Sequence, residues 1–149
     1  MLDRILVGFD GSREARRACL VASELAARFR SSLTLVVVRP ARRPSADPYL
    51  EGLVPLDDDG RAMATILDEV REKAIARGAA KVETVFLWGD VLRALLEWLD
   101  RHPQDLVVVG SRGLSRGSRL LLGSVSSGLV NEAPCPVLVV RGGRDHRAR

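Results

Sequence analysis

Runs of apolar residues with no charge among them recur along the chain and constrain its fold more than any other feature. They fall at 5–9, 33–38, 106–109 and 136–140, and each has the length of one strand. Such strands must be covered on both faces, which is typical of parallel sheets flanked by helices. Val82, Val85 and Leu87 predict a further strand.

Segments with helical periodicity separate these strands. Behind Ser12, a candidate N-cap, small and apolar residues recur on one helix face: Ala15, Ala18, Cys19, Ala22, Leu25, Ala26 and Phe29. Further helices are predicted from about Met63 to Gly78, from Gly89-Asp90 to His102-Pro103, and from Ser124 onwards. This alternation predicts one α/β domain with an open, doubly wound parallel sheet.

One long segment, 41–60, interrupts the alternation. It contains Pro44, Pro48 and Pro55 and ends in an acidic run, so we expect an irregular connection. It also carries Tyr49 and other apolar residues. Two interpretations stay open: a mobile segment that becomes ordered near a ligand, and a passive insertion.

Composition excludes several classes of function. The net charge of +4 comes from arginines scattered among acids, and aromatic residues make up 4 %, so there is no stacking platform for nucleic acid. No apolar run approaches the roughly 20 residues of a membrane span. The first strand follows the N-terminus without a basic leader, which favours the cytoplasm. We expect the domain to cover 1–141 and the basic residues 142–149 to form a flexible tail.

The stretch from Gly110 to Ser124 is rich in glycine, serine and arginine and follows a buried strand. Backbone N–H groups at glycines can approach an anion closely, and a helix beginning at Gly123-Ser124 would direct its positive end toward a phosphate. We expect Gly113 and Gly123 to leave space that phosphates occupy. The stretch has neither the lysine of a Walker A loop nor a dinucleotide fingerprint. A simple surface connector is the alternative.

The spacing Gly110-x2-Gly113-x9-Gly123-Ser124 resembles the nucleotide-binding pattern of the universal stress protein family. The opening residues 5–12 and the closing residues 134–140 are similar to that family's first and last strands. The resemblance covers nearly the whole chain. It implies a five-stranded parallel sheet of the adenine nucleotide alpha-hydrolase-like type, bound ATP, Mg²⁺ that could accompany the phosphates, and a homodimer joined through residues 137–140.

Site residues follow from the resemblance by position. Asp10 would contact the ribose or adjoin the phosphates, Val38 would line the adenine pocket, and Val109 and Gly110 would flank the ribose. The phosphates would be held by Gly113, Gly123, Ser124 and Val125.

The residues themselves suggest further phosphate partners in the same stretch. Ser124 and Ser126 offer hydroxyl donors, and Arg116 and Arg119 offer positive charge. Arg112 is a candidate contact without an assigned role. No metal ligands are predicted.

Three functions remain open on the sequence. The first is an ATP-binding signalling or stress-response module with an unknown protein partner. The second is a weak Mg²⁺-dependent ATPase or kinase-like enzyme that uses Asp10, because phosphoryl transfer needs a positioned base and a metal. The third is a nucleotide-free dimerisation module. Cyclic AMP instead of ATP is an open alternative for the ligand.

Overall fold

The computed structural model describes residues 1–39, 56–112 and 122–142, and for residues 56–63 it describes the backbone alone. Strands and helices alternate as predicted. In chain order they are β1 (Arg4–Gly8), α1 (Arg13–Phe29), β2 (Ser32–Arg39), α2 (Leu56–Ala76), β3 (Lys81–Trp88), α3 (Val91–Arg101), β4 (Leu106–Gly110), α4 (Ser124–Glu132) and β5 (Val137–Val140). None of the helices in these ranges has the length and apolar character needed to span a bilayer.

The strands form one sheet in the order β3-β2-β1-β4-β5, and every pair is parallel. This confirms the predicted fold class. The chain moves outward from β1 through β2 to β3, and then crosses to the other side of β1 for β4 and β5. The strand order therefore reverses between β1 and β4, which is where open sheets of this kind bind ligands.

Alternate residues of each strand supply two separate apolar clusters. Ile5 and Val7 of β1 pack with α1 and α2 on one face of the sheet. Leu6 of β1 packs with Leu95 and Leu99 of α3 and with Leu129 of α4 on the other face. We call these the α1/α2 face and the α3/α4 face. The alternation follows from the two-residue period of a strand.

Two expectations from the sequence need correction. The connection predicted over 41–60 is too long, because α2 begins at Leu56. Asp57, Asp58 and Asp59 therefore belong to the first turn of this helix and not to the connection. Phe29, assigned to the buried face of α1, is 54 % exposed because the helix ends there, at a left-handed Arg30. Residues 40–55 and the tail 143–149 lie outside the described residues.

Candidate functional site

A cavity of about 230 Å³ opens at the carboxyl ends of β1, β2 and β4, where the strand order reverses. The residues that line it come from three strands, from the N-terminal parts of three helices and from the segments between them. They are Gly8, Phe9, Asp10, Ala15, Val36, Val38, Val91, Leu95, Val109, Gly110, Arg112, Gly123, Ser124, Val125 and Ser126.

The floor of the cavity depends on a residue that has no side chain. Gly8 is in register with Val36 on β2, and a Cβ added to Gly8 would lie 3.2 Å from Cγ1 of Val109 on β4. Gly8 shares the α3/α4 face with Leu6 because it is two residues further along the strand. A larger residue would occupy the space between the two valines. Sequence reasoning missed Gly8, although the two-residue period that starts at Leu6 could have identified it.

Helix α3 provides an apolar wall that the sequence did not reveal. Val91, in its first turn, and Leu95, one turn later, both line the cavity. Leu95 is buried, whereas Val91 remains 37 % exposed at the rim. The sequence predicted this helix and its apolar face, but not that its first two turns line the cavity.

Asp10 is held at the cavity by local hydrogen bonds. Its Oδ1 accepts the backbone N–H of Ser12 at 2.9 Å, and Oγ of Ser12 in turn accepts the N–H of Ala15 at 3.1 Å. Asp10 thus forms a turn and also contributes a carboxylate to the cavity wall, so the two interpretations of this residue are compatible. In the described part of the chain, no three His, Cys, Asp or Glu side chains lie close enough to hold a metal ion.

The N-terminus of α4 differs from those of α1 and α3. Ser12 and Asp90 cap α1 and α3 with side-chain oxygens that accept backbone N–H groups. The N-cap of α4 is Gly123, which has no side chain, and the first turn of the helix contains no acidic residue. Among the described residues, no N-cap side chain accepts the first N–H groups of α4, which lie at the cavity beside the positive end of the helix dipole.

The two glycines that flank the glycine-rich stretch are packed against protein. A Cβ on Gly110 would lie 2.8 Å from Cβ of Glu14 and 3.0 Å from N of Ala15, so the end of β4 lies directly against α1. A Cβ on Gly123 would lie 3.2 Å from the carbonyl oxygen of Ser111. A side chain at Gly123 would therefore meet protein backbone, and the expected contact of this residue with phosphates stays a prediction.

Every site residue that the sequence predicted and the structure describes lies on this one cavity: Asp10, Val38, Val109, Gly110, Arg112, Gly123, Ser124, Val125 and Ser126. Gly113, Arg116 and Arg119 lie outside the described residues. That these residues contact a nucleotide stays a prediction. Geometrically, the cavity combines apolar walls from α3, β2 and β4 with a polar end at α4.

Known proteins resemble the chain over almost its whole length. A family model described as "Universal stress protein family" matches residues 1–141. A universal stress protein of Thermus aquaticus is 34 % identical, covering 95 % of this chain and 100 % of its own. The universal stress protein UspA from Lactobacillus plantarum superposes with a TM-score of 0.82 at 28 % identity, covering 94 % of this chain and 98 % of its own.

A further solved structure bears on the ligand. It is a universal stress protein in complex with cAMP, with a TM-score of 0.70 at 29 % identity, and it covers 94 % of this chain and 98 % of its own.

Proposed function

The chain belongs to the universal stress protein family, and we propose that it binds ATP in the cavity and acts as a nucleotide-dependent signalling module. One observation carries the proposal: an apolar chamber that ends at a helix N-terminus without a side-chain cap. The first feature suits an adenine base, and the second suits phosphates. The relative that binds cAMP supports an adenine nucleotide as the ligand.

The lining residues suggest how the nucleotide lies. We place adenine beside Val38 of β2 and Val91 of α3, because both side chains belong to the apolar part of the wall. The ribose then lies near Asp10, whose carboxylate can accept hydrogen bonds from its hydroxyl groups. The phosphates extend from Gly110 toward Gly123, where the N–H groups of α4 can donate to them. Mg²⁺ bound to the phosphates would neutralise part of their charge.

Signalling is a better proposal than a dedicated enzyme. Among the described residues, Asp10 is the one carboxylate that lines the cavity, and one of its oxygens already accepts a hydrogen bond from Ser12. Phosphoryl transfer with appreciable turnover needs a base, a metal and a positioned nucleophile. We therefore expect hydrolysis of ATP to be slow, so that the bound nucleotide persists long enough to report to a protein partner.

Isothermal titration calorimetry tests the binding proposal. We expect one ATP per chain and weaker binding of GTP, because apolar walls leave the additional polar groups of guanine without hydrogen-bond partners. Asp10→Asn keeps the acceptor for the Ser12 N–H but removes the charge near the ribose, and should weaken ATP binding about tenfold. Asp90→Asn is the matched control, because Asp90 also follows a strand and accepts a backbone N–H but does not line the cavity.

The same titrations separate the competing ligands and functions. If cAMP binds more tightly than ATP, cAMP is the ligand, and the assignment of the site still holds. If no adenine nucleotide gives a heat of binding, and circular dichroism shows that the protein is folded, the nucleotide-free dimerisation module is favoured. Rapid turnover of ATP that is lost in Asp10→Asn would favour the enzyme.

We also propose that the functional unit is a homodimer joined through β5. Hydrogen bonds pair this strand with β4, and its opposite edge has no partner strand in the described part of the chain. Leu138 of β5 is 37 % exposed, and Val130 of α4 is 52 % exposed. A short apolar edge of this kind is an aggregation hazard unless a second copy covers it.

Sedimentation equilibrium tests the dimer. The wild-type protein should have twice the mass of the chain at micromolar concentration, and Leu138→Lys should shift it toward the monomer. A monomeric wild-type protein would contradict the proposal.

A further inference from the structure

The described ends of the glycine-rich stretch meet at one carbonyl group. The N–H of Gly123 donates to the carbonyl oxygen of Ser111 at 2.7 Å. Oγ of Ser126 lies 3.2 Å from the same oxygen and 3.0 Å from the carbonyl oxygen of Gly123. Ser111 and Ser126 are both buried, with 6 % and 2 % exposure. The carbonyl oxygen of Ser111, which follows β4, therefore accepts the N–H of Gly123 and also lies within hydrogen-bond distance of the Ser126 hydroxyl.

Ser111 is itself attached to the sheet. Its N–H donates to the carbonyl oxygen of Val140 on β5 at 2.9 Å. The ends of β4 and β5 therefore fix the position of Ser111. Any group that binds its carbonyl oxygen is in turn held in a fixed position relative to the sheet. Through Ser111, the hydrogen bonds of Gly123 and Ser126 fix the N-terminus of α4 relative to the strand ends that form the cavity.

The chemistry of a hydroxyl group limits what Ser126 can do. Its oxygen carries one proton, and its two hydrogen-bond partners among the described residues are carbonyl oxygens, which accept hydrogen bonds. A phosphate oxygen is also an acceptor and would compete for the same proton. A hydroxyl that donates to the backbone of Ser111 or Gly123 does not donate to a phosphate at the same time, so its contacts in this structure favour a role other than the donor role that the sequence suggested.

We propose that Ser126 is a positioning residue: it joins α4 to Ser111 and so sets where the first N–H groups of α4 meet the phosphates. This inference rests on the proposed function of the cavity. The bond to Gly123 is local and recurs in many helices, whereas the bond to Ser111 spans 15 residues and links two elements. Only the second can align the helix with the rest of the site.

Ser126→Ala with ATP and adenosine as ligands tests the proposal. The variant removes the hydroxyl but leaves the Gly123 N–H to hold Ser111, so α4 should remain folded and become less well aligned. We expect ATP to bind about fivefold more weakly, which corresponds to the loss of one ordinary hydrogen bond. Adenosine has the same base and ribose without the phosphates, and its affinity should not change.

Two further variants sharpen the result. Ser127→Ala removes the neighbouring hydroxyl of the same helix and should leave both affinities unchanged. Ser126→Thr retains the hydroxyl and should restore the ratio of ATP to adenosine affinity to within twofold of the wild type. If Ser126→Ala lowers the affinities for ATP and adenosine to the same degree, or lowers neither, the proposal is overturned. A merely structural role would not distinguish ATP from adenosine.

Amide hydrogen exchange in the ligand-free protein separates this inference from the proposed function. The N–H of Gly123 should exchange faster in Ser126→Ala than in the wild type, whether or not ATP is the ligand. If the wild type binds no nucleotide, the proposed function fails, but this measurement still tests whether the contact between Ser126 and Ser111 holds the start of α4. Unchanged exchange at Gly123 would refute the positioning role.

Discussion

The two faces of the sheet are packed in different ways. On the α1/α2 face, α1 presents small residues to the strands, and Ala18, Cys19, Ala22 and Ala26 have no exposed surface. On the α3/α4 face, many of the contacting residues are half-buried, including Val38, Val125 and Val139. Small side chains bring the backbone of α1 close to the sheet, whereas larger and partly exposed side chains separate α3 and α4 from it.

This difference assigns separate tasks to the two faces. Close approach of backbones leaves little room for adjustment, because a folded core is packed as densely as an organic crystal. The α1/α2 face therefore contributes stability and holds the strand ends in place. The α3/α4 face retains a cavity and exposed apolar surface, and we expect substitutions there to change binding more than stability. The following predictions test this division, in order of decreasing effect.

Gly110→Ala should cause the largest loss of stability. Its Cβ would lie 2.8 Å from Cβ and 2.9 Å from the carbonyl carbon of Glu14, and backbone atoms of α1 cannot move aside. We expect the free energy of unfolding in urea to fall by about 3 kcal/mol. Gly142→Ala is the matched control, because its Cβ would meet the mobile carboxylate of Glu14 at 3.0 Å. Similar losses in both variants would contradict a rigid α1/α2 face.

Cys19 should make the stability of the α1/α2 face depend on alkaline pH. Burial, and to a smaller extent the charge of Asp10, raises the pKa of Cys19 from 9.0 to about 12. Above pH 9 the unfolded chain releases this proton while the folded protein retains it, so the free energy of unfolding decreases as pH rises. Between these two pKa values the decrease should be about 1.4 kcal/mol per pH unit.

Urea denaturation between pH 9 and about 11 measures this slope. Cys19→Ala should remove it, because alanine has no proton to lose. Cys135→Ala is the control: burial also raises the pKa of the Cys135 thiol, but this side chain is only half-buried, so its removal should change the slope less. If the free energy of unfolding has the same pH dependence in the wild type and in Cys19→Ala, water reaches the Cys19 thiol in the folded protein, and the α1/α2 face is less tightly packed than described.

Val91→Ala tests the opposite property on the α3/α4 face. Val91 lines the cavity and is 37 % exposed, so the substitution removes contact with the ligand while the core remains filled. We expect about threefold weaker ATP binding and a change in stability within about 0.5 kcal/mol. Val21→Ala makes the same change on α1, and should lower stability by about 1 kcal/mol with no effect on affinity. Calorimetry and urea denaturation of both variants check the contrast.

The sequence was sufficient to predict the succession of strands and helices and a parallel sheet covered by helices on both faces. The apolar runs located the strands, and Ser12 and Asp90 were correctly identified at the starts of α1 and α3, because each provides an oxygen for the backbone N–H groups of the first turn. Resemblance then added the five-stranded sheet and the glycine pattern. The predicted residues that the structure describes converge on one cavity because the carboxyl ends of parallel strands meet at the same edge of the sheet.

The remaining features depend on packing between elements. Val91 and Leu95 line the cavity because of where α3 packs relative to the sheet. The periodicity of a single helix predicts which of its faces is buried, but not where the helix packs. The contact between Ser126 and Ser111 joins α4 to the residue that follows β4. The spacing of residues along the sequence therefore could not predict it either. The start of α2 was misplaced because an acidic run suits both a solvated loop and a helix N-terminus.

Gly128→Ala should have a smaller effect on stability than Gly110→Ala, although its Cβ would make the shorter contact. A Cβ on this residue of α4 would lie 2.2 Å from Cδ2 of Leu92 on α3. The neighbour is the end of a flexible, half-buried side chain on the α3/α4 face, so it can adopt another rotamer. Alanine also favours the helix over glycine by about 1 kcal/mol, which offsets the cost of that rearrangement. We expect the free energy of unfolding to change by less than about 1 kcal/mol.

A double-mutant cycle separates the two contributions. In a Leu92→Ala background the steric conflict is absent, and Gly128→Ala should then stabilise the protein by nearly the full difference in helix propensity. The two substitutions should therefore be coupled, with a favourable interaction energy. A loss of about 3 kcal/mol for Gly128→Ala alone, equal to that expected at Gly110, would mean that α3 and α4 pack as rigidly as α1 does. The cavity would then owe its shape to the same close packing that stabilises the fold, and binding could not be altered on that face without a loss of stability.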